Sequence, residues 1–136
     1  MTINEIQDEI IEEFAFFDDW MEKYEYIIDL GKSLPLIDPK YKDEAHLIKG
    51  CQSQVWLHAA NEGKQVDFTA DSDAIITKGI IALLVRVLSG QSAEAVAHSD
   101  LYFIDKIGLK EHLSPTRSNG LVSMVKQMKR LSLIHI

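Results

Sequence analysis

The fold is decided by the stretch Ser53-Gln54-Val55-Trp56-Leu57-His58-Ala59-Ala60-Asn61-Glu62-Gly63-Lys64-Gln65-Val66-Asp67-Phe68. Residues 53–59 alternate between two sets of side chains, which predicts a strand whose two faces are both partly covered. Residues 61–64 have the composition of a turn, and Val66 and Phe68 alternate with polar residues after it. The stretch therefore predicts an antiparallel hairpin.

A long apolar helix is expected to follow the hairpin. Residues from Ala74 to Leu88 are apolar on nearly every side, which predicts burial in the middle of the fold. Asp71 and Asp73 are interpreted as helix caps, with Asp73 as the N-cap, and Gly90 as the stop. Downstream, Ser92 predicts the cap of a short helix, residues 101–113 predict short turns, and Ser114-Pro115 predicts the start of the last helix.

The N-terminal part predicts one or two further helices. Apolar residues recur every three or four positions from Ile3 to Ile28. Asp19 with Glu22 indicates a capping box, so we expect a break near residues 17–19, and Gly31 is expected to end the second helix. Without internal repeats or a linker, residues 1–136 are interpreted as a single α+β domain.

The only cysteine of the chain, Cys51, is the main candidate for chemistry. One cysteine cannot form an internal disulfide, nor supply the several thiolates of an iron–sulfur cluster or a zinc ribbon. Together with the five histidines it shows no recognised zinc spacing, so we expect no metal site. Gly50 and the polar residues 52–54 indicate that the thiol lies in a loop, although an inert buried thiol is the alternative.

Charge and hydropathy exclude several classes of protein. The net charge is −7, and residues 1–30 hold ten acidic residues against one basic residue, Lys23. This is the opposite of a nucleic-acid footprint. No stretch reaches the ~20 apolar residues of a membrane span. A free cysteine without a secretory signal favours a reducing, cytoplasmic location.

A cysteine acts as a nucleophile only as a thiolate, and a free cysteine with a pKa of about 8.5 is mostly protonated at neutral pH. Lys49 is the nearest cation in sequence, and Arg117 is expected in the first turn of the last helix, whose N-terminus also favours anions. We therefore hypothesise that this helix start lies near the Cys51 loop and holds a thiolate. A purely structural Arg117 is the alternative, and His46 or His58 is a less favoured base for the thiol.

Four stretches of sequence carry a resemblance to a known family. They are Trp20–Tyr24 with Ile27–Gly31 and Leu34-Pro35, then Ile48–Trp56, then Asp71–Ala74 with Lys78-Gly79, and finally Leu113–Leu121. They occur in order over nearly the full chain, and the string Gly-Cys-Gln-Ser-Gln-Val-Trp is specific. On these residues the chain resembles the SufE-like sulfur-acceptor proteins of iron–sulfur cluster assembly.

The resemblance implies a fold and a function. The fold is a small antiparallel sheet covered by helices, similar to that of the cluster scaffold proteins. The cysteine matching Cys51 takes persulfide sulfur from a desulfurase, stimulates that enzyme and passes the sulfur to a scaffold. The pyridoxal phosphate belongs to the desulfurase, so no cofactor of the chain's own is expected. The family's arginine matches Arg117, so the resemblance implies that the group held there is the thiolate or persulfide of Cys51.

The partner contacts expected from this resemblance lie around the thiol and beside the hairpin. They comprise Gly50, Gln52, Ser53, Asp71 and Asp73. The chain is expected to be a monomer or weak homodimer without turnover of its own. Two alternatives stay open: an adaptor that activates a desulfurase without carrying sulfur, and a standalone thiol enzyme, for which no resolving cysteine exists.

Overall fold

The computed structural model describes residues 1–134 of the 136-residue chain. The domain predicted from the sequence spans residues 1–136 and ends in an apolar tail. The last two residues of that tail, His135 and Ile136, lie outside the described part of the chain. The helices are α1 (Ile3–Ala15), α2 (Trp20–Lys32), α3 (Ile75–Leu88), α4 (Ala93–Ala97), α5 (Phe103–Lys106) and α6 (Pro115–Ile134), with short 3-10 turns at Pro39–Tyr41, Glu44–His46 and Lys110–His112. The strands are β1 (Val55–Glu62), β2 (Gln65–Ser72) and β3 (Gln91–Ser92).

The hairpin predicted from the sequence is confirmed, and with it the α+β class. Strands β1 and β2 pair antiparallel from Val55 opposite Ser72 to Glu62 opposite Gln65. Gly63 has a φ of 65°, which suits a two-residue hairpin turn. Strand β1 begins two residues later than predicted and continues to Glu62, β2 extends beyond the predicted segment to Ser72, and β3 adds a short antiparallel edge to β2.

The apolar helix α3 lies at the centre of the packing, as predicted. It packs against α2 and β2 and also contacts α1 and α6. Its close contact with α2 depends on two glycines, since a Cβ on Gly79 would lie 2.1 Å from the Ile27 carbonyl oxygen. A Cβ on Gly31 would lie 3.0 Å from the Gly79 nitrogen. The prediction that Gly31 ends α2 is wrong, because the helix continues to Lys32 and Gly31 serves this close approach instead.

The predicted caps of α3 are also wrong. The N-cap position is Ala74, and no side chain caps this helix. The Asp73 carboxylate instead accepts a hydrogen bond from the Gln54 backbone nitrogen at 3.0 Å. The Asp71 carboxylate forms ion pairs with Lys42 and Lys78 at 3.0 and 3.3 Å. Both aspartates therefore connect separate parts of the chain.

Local signals predicted the remaining helix ends correctly. Asp19 caps α2 by accepting a hydrogen bond from the Glu22 nitrogen, so the predicted break is confirmed. The Ser92 side chain caps α4, and α6 begins at Pro115. None of the helices within residues 1–134 is both long and apolar enough to cross a bilayer.

Part of the acidic charge of α1 has a structural role. The Arg86 guanidinium of α3 donates to Glu13 at 2.8 Å and to Glu9 at 2.7 Å. The hydrogen bond from Arg86 lowers the pKa of Glu13 below its usual value. These ion pairs of Arg86 with Glu9 and Glu13 fix α1 against α3 at a partly exposed position.

We predict that Gly79→Ala strongly destabilises the protein, because its methyl group has no room beside the α2 backbone. The expected loss in the free energy of unfolding is about 3 kcal/mol, measured by urea denaturation. Gly63→Ala is the control: a Cβ there meets nothing within 4 Å, so only the strain of its positive φ remains. That strain is about 1 kcal/mol. Equal losses in the two variants would show that helix proximity is not the cause.

Candidate functional site

The Cys51 loop, residues 49–54, is held at both ends. The Ile48 nitrogen donates to the Val55 carbonyl oxygen at 2.8 Å, which closes the base of the loop. At its second end, Gln54 exchanges hydrogen bonds with Asp73: the Gln54 nitrogen donates to the carboxylate, and the Asp73 nitrogen donates to the Gln54 carbonyl at 3.3 Å. The loop is therefore fastened to the segment in which α3 begins.

The Cys51 thiol lies in this loop but is directed inward. The side chain is half-buried, and its Sγ donates a hydrogen bond to the Gly120 carbonyl oxygen at 3.6 Å. A Cβ on Gly120 would lie 3.4 Å from Sγ, so the thiol is in close contact with the backbone of α6 at this glycine. Gly50 has a φ of 93° and lies close to Ser123 of α6. The predicted loop location is confirmed, with the thiol resting against α6.

A cavity of about 240 Å³ lies beside the thiol. Its walls come from the Cys51 loop, from α3 and from the start of α6. The lining residues are Cys51, Gln52, Ser53, Thr77, Ile80, Ser114, Thr116, Arg117, Gly120 and Met124. The sequence-predicted pair Cys51 and Arg117 thus lines one cavity, and the first turn of α6 lies there with them.

The resting thiol is not activated. Burial raises the pKa of the Cys51 thiol, which is the opposite of the change that a thiolate requires. Neither Lys49 nor Arg117 offsets this burial. Cys51 therefore rests in the protonated form at neutral pH, in keeping with the hydrogen bond it donates to Gly120.

The predicted partner-contact residues differ in how accessible they are. Gln52 and Asp73 are exposed, as is Gly50, whereas Ser53 is half-buried at the cavity. Asp71 is half-buried between its two lysines, so its carboxylate already has partners.

The two histidines near the motif do not face the thiol. His58 stacks on the Tyr41 ring with centroids 3.8 Å apart, and His46 packs beside both rings. Neither histidine is among the residues that line the cavity at Cys51. The geometry therefore argues against either as a base for the thiol.

Several site residues were missed by the sequence reasoning. Thr77 and Gly120 line the cavity, and Ile75, two residues after Asp73, has 66% of its surface exposed. A polar residue inside an otherwise apolar helix was the available signal for Thr77. An exposed isoleucine at the helix start carries no signal of its own in the sequence.

Comparisons with known proteins agree with the sequence resemblance. Residues 8–132 match the family described as "SufE: Fe-S metabolism associated domain". An uncharacterized SufE-like protein of Rhizobium meliloti is 41% identical over 127 residues, covering 90% of this chain and 91% of that one. SufE-like protein 1, chloroplastic/mitochondrial, of Arabidopsis thaliana is 38% identical over 126 residues, covering 92% of this chain and 34% of that protein. A solved structure, a hypothetical protein of Thermus thermophilus, superposes with a TM-score of 0.78 at 23% identity, covering 95% and 94% of the two chains, and so shares the fold.

We predict that Asp73→Ala frees the Cys51 loop and makes its thiol more reactive. Loss of the hydrogen bond to Gln54 lets the loop move away from α6, which lowers the pKa of Cys51 towards an ordinary thiol. Alkylation by iodoacetamide, followed by mass spectrometry against pH, is then expected to begin at lower pH than in the wild type. Asp67→Ala on β2, which removes a carboxylate that accepts a hydrogen bond from the nearby Gln65 side chain, is the matched control. An unchanged pH profile in Asp73→Ala would contradict this account.

Proposed function

The chain belongs to the SufE family of domains associated with iron–sulfur metabolism, and from this premise we propose that it carries sulfur on Cys51. The observation that supports the proposal is the position of the one thiol, in a fastened loop beside a cavity with a cation in its wall. A carrier needs a thiol that can be shielded between two partners, and this loop provides it.

The proposed uptake step is a thiol–persulfide exchange. The Cys51 thiolate attacks the outer sulfur of a persulfide on the active-site cysteine of a desulfurase. A new sulfur–sulfur bond forms at Cys51, the donor's bond breaks, and the electron pair leaves on the donor thiolate. The pyridoxal phosphate of that reaction belongs to the desulfurase, and the chain contributes the thiol alone.

Uptake requires a change at the loop, because the resting thiol is protonated and directed inward. We propose that the desulfurase docks on the exposed surface beside the loop. Gln52, Asp73 and the exposed Ile75 make up this surface in the proposal, and Asp73 is joined to the loop through Gln54. Contact with Asp73 would release its hold on Gln54, and the thiol could then enter the partner's active site.

Removal of the sulfur frees the active-site cysteine of the desulfurase for another cycle. This release is the proposed cause of a faster cysteine turnover by the desulfurase. The loaded chain then passes its sulfur to an iron–sulfur cluster scaffold. A reducing compartment such as the cytoplasm suits a thiol that must remain free. We propose a monomer or weak homodimer, because one exposed loop is sufficient for both transfers.

We predict that the protein gains the mass of one sulfur atom when mixed with a desulfurase and cysteine without reductant. Intact-mass spectrometry measures the gain, which is expected to be absent in Cys51→Ser. The variant is expected to bind the desulfurase with unchanged affinity but to give no stimulation of cysteine turnover.

Full stimulation by Cys51→Ser would contradict sulfur transfer and would favour the adaptor function, in which docking alone activates the enzyme. Circular dichroism is the control that tests whether Cys51→Ser is folded. Peroxide turnover by the protein alone would instead favour a standalone thiol enzyme.

A further inference from the structure

We propose that the cavity beside Cys51 binds the carboxylate of a small thiol, such as free cysteine, and that this thiol removes sulfur from loaded Cys51. The inference rests on the proposed function, because it requires a persulfide at Cys51. It adds a low-molecular-weight acceptor to the protein partners named above.

The start of α6 supplies the anion-binding part of the cavity. Arg117 lines it together with the hydroxyl groups of Ser114 and Thr116. The Arg117 guanidinium has no carboxylate within ion-pair distance among residues 1–134, and only its backbone nitrogen is hydrogen-bonded, to the Ser114 Oγ at 3.3 Å. A free cation, two hydroxyl groups and the positive end of a 20-residue helix together suit a carboxylate.

Thr77 is the second, independent observation that indicates a ligand. Its side chain is only 6% exposed and lines the cavity from the second wall, α3. No hydrogen bond joins its hydroxyl to another of residues 1–134. Because those residues contain no fully buried side-chain oxygen without a partner, the hydroxyl oxygen is open to the cavity that Thr77 lines. A hydroxyl without a protein partner that opens into a cavity is available to a ligand or to solvent there. It can donate to a sulfur or carboxylate in the cavity.

The size of the cavity favours a small molecule over a peptide. A volume of about 240 Å³ equals that of roughly eight water molecules at ~30 Å³ each. Such a space accommodates the outer sulfur of a persulfide and one amino-acid-sized thiol.

The transfer step balances without any further reactant. The small thiolate attacks the outer sulfur of the Cys51 persulfide, and a new sulfur–sulfur bond forms on the small molecule. The bond to the Cys51 Sγ breaks, and its electron pair leaves on Sγ, which then takes a proton from solvent. The product is a small persulfide, and the resting thiol is restored.

The test compares two thiols that differ in their charge. Cys51 is loaded with inorganic polysulfide, checked by intact mass, and mixed with 3-mercaptopropionate or with the neutral 2-mercaptoethanol. Rates of sulfur loss are compared per thiolate, which removes the effect of the different thiol pKa values. We expect the carboxylate-bearing thiol to react about tenfold faster, as a charge-assisted contact provides.

Variants assign this preference to the cavity. Arg117→Gln is expected to bring the ratio of the two rates near one. Arg130→Gln, an exposed arginine on the same helix that does not line the cavity, is expected to keep the ratio. Thr77→Val, nearly equal in shape, is expected to slow both thiols several-fold if its hydroxyl holds the outer sulfur.

A ratio near one in the wild type overturns the proposal, as does an unchanged ratio in Arg117→Gln. Should polysulfide fail to load Cys51, the unloaded protein gives a second test: propionate, but not 1-propanol, is expected to slow alkylation of Cys51, and Arg117→Gln to abolish this protection. Absence of protection then overturns the proposal. A carboxylate preference in a protein that takes no sulfur from a desulfurase would refute the proposed function and leave this site in place.

Discussion

The contact between the backbones of α2 and α3 is the constraint on which the site depends. Gly79 allows α3 to lie against the Ile27 carbonyl, and Gly31 completes the contact from the other helix. Because α3 is then fixed between α2 and β2, its first turns reach the Cys51 loop in one defined position. Thr77, two residues before Gly79, is thereby directed into the cavity. A close helix–helix contact thus sets the chemistry of one wall of the site.

Features encoded by neighbouring residues could be predicted from the sequence, and features encoded by distant residues could not. The hairpin, the α6 start at Pro115 and the Ser92 cap follow from local patterns, and all three were confirmed. Asp73 resembled an N-cap by its local context, but its carboxylate is taken by Gln54, 19 positions earlier. Gly31 resembled a helix end for the same reason, while its partner in the fold is Gly79.

The candidate site shows the same division. The motif at Cys51 and the arginine at 117 were identified in the sequence, and the structure places both in the lining of one cavity. The direction of the thiol pKa could not be predicted, because it depends on how closely Gly120 lets the loop approach α6. Nearby cations in the sequence favoured a lowered pKa, but desolvation by the packed loop is the larger effect in the resting protein.

The hydrogen bond from the Cys51 thiol to the Gly120 carbonyl distinguishes an empty carrier from a loaded one. Only an unmodified thiol can donate it, because the Sγ of a persulfide carries no proton. Loading therefore removes the contact that holds the side chain against α6, and the carbonyl then faces an electron-rich sulfur. The outer sulfur is acidic enough to bear negative charge, and an anion requires donors. Within the described cavity the available donors include the Thr77 hydroxyl and the Arg117 guanidinium, and no hydrogen bond joins either of these side chains to another of residues 1–134. The cavity is thus better matched to the loaded cysteine than to the thiol that rests beside it.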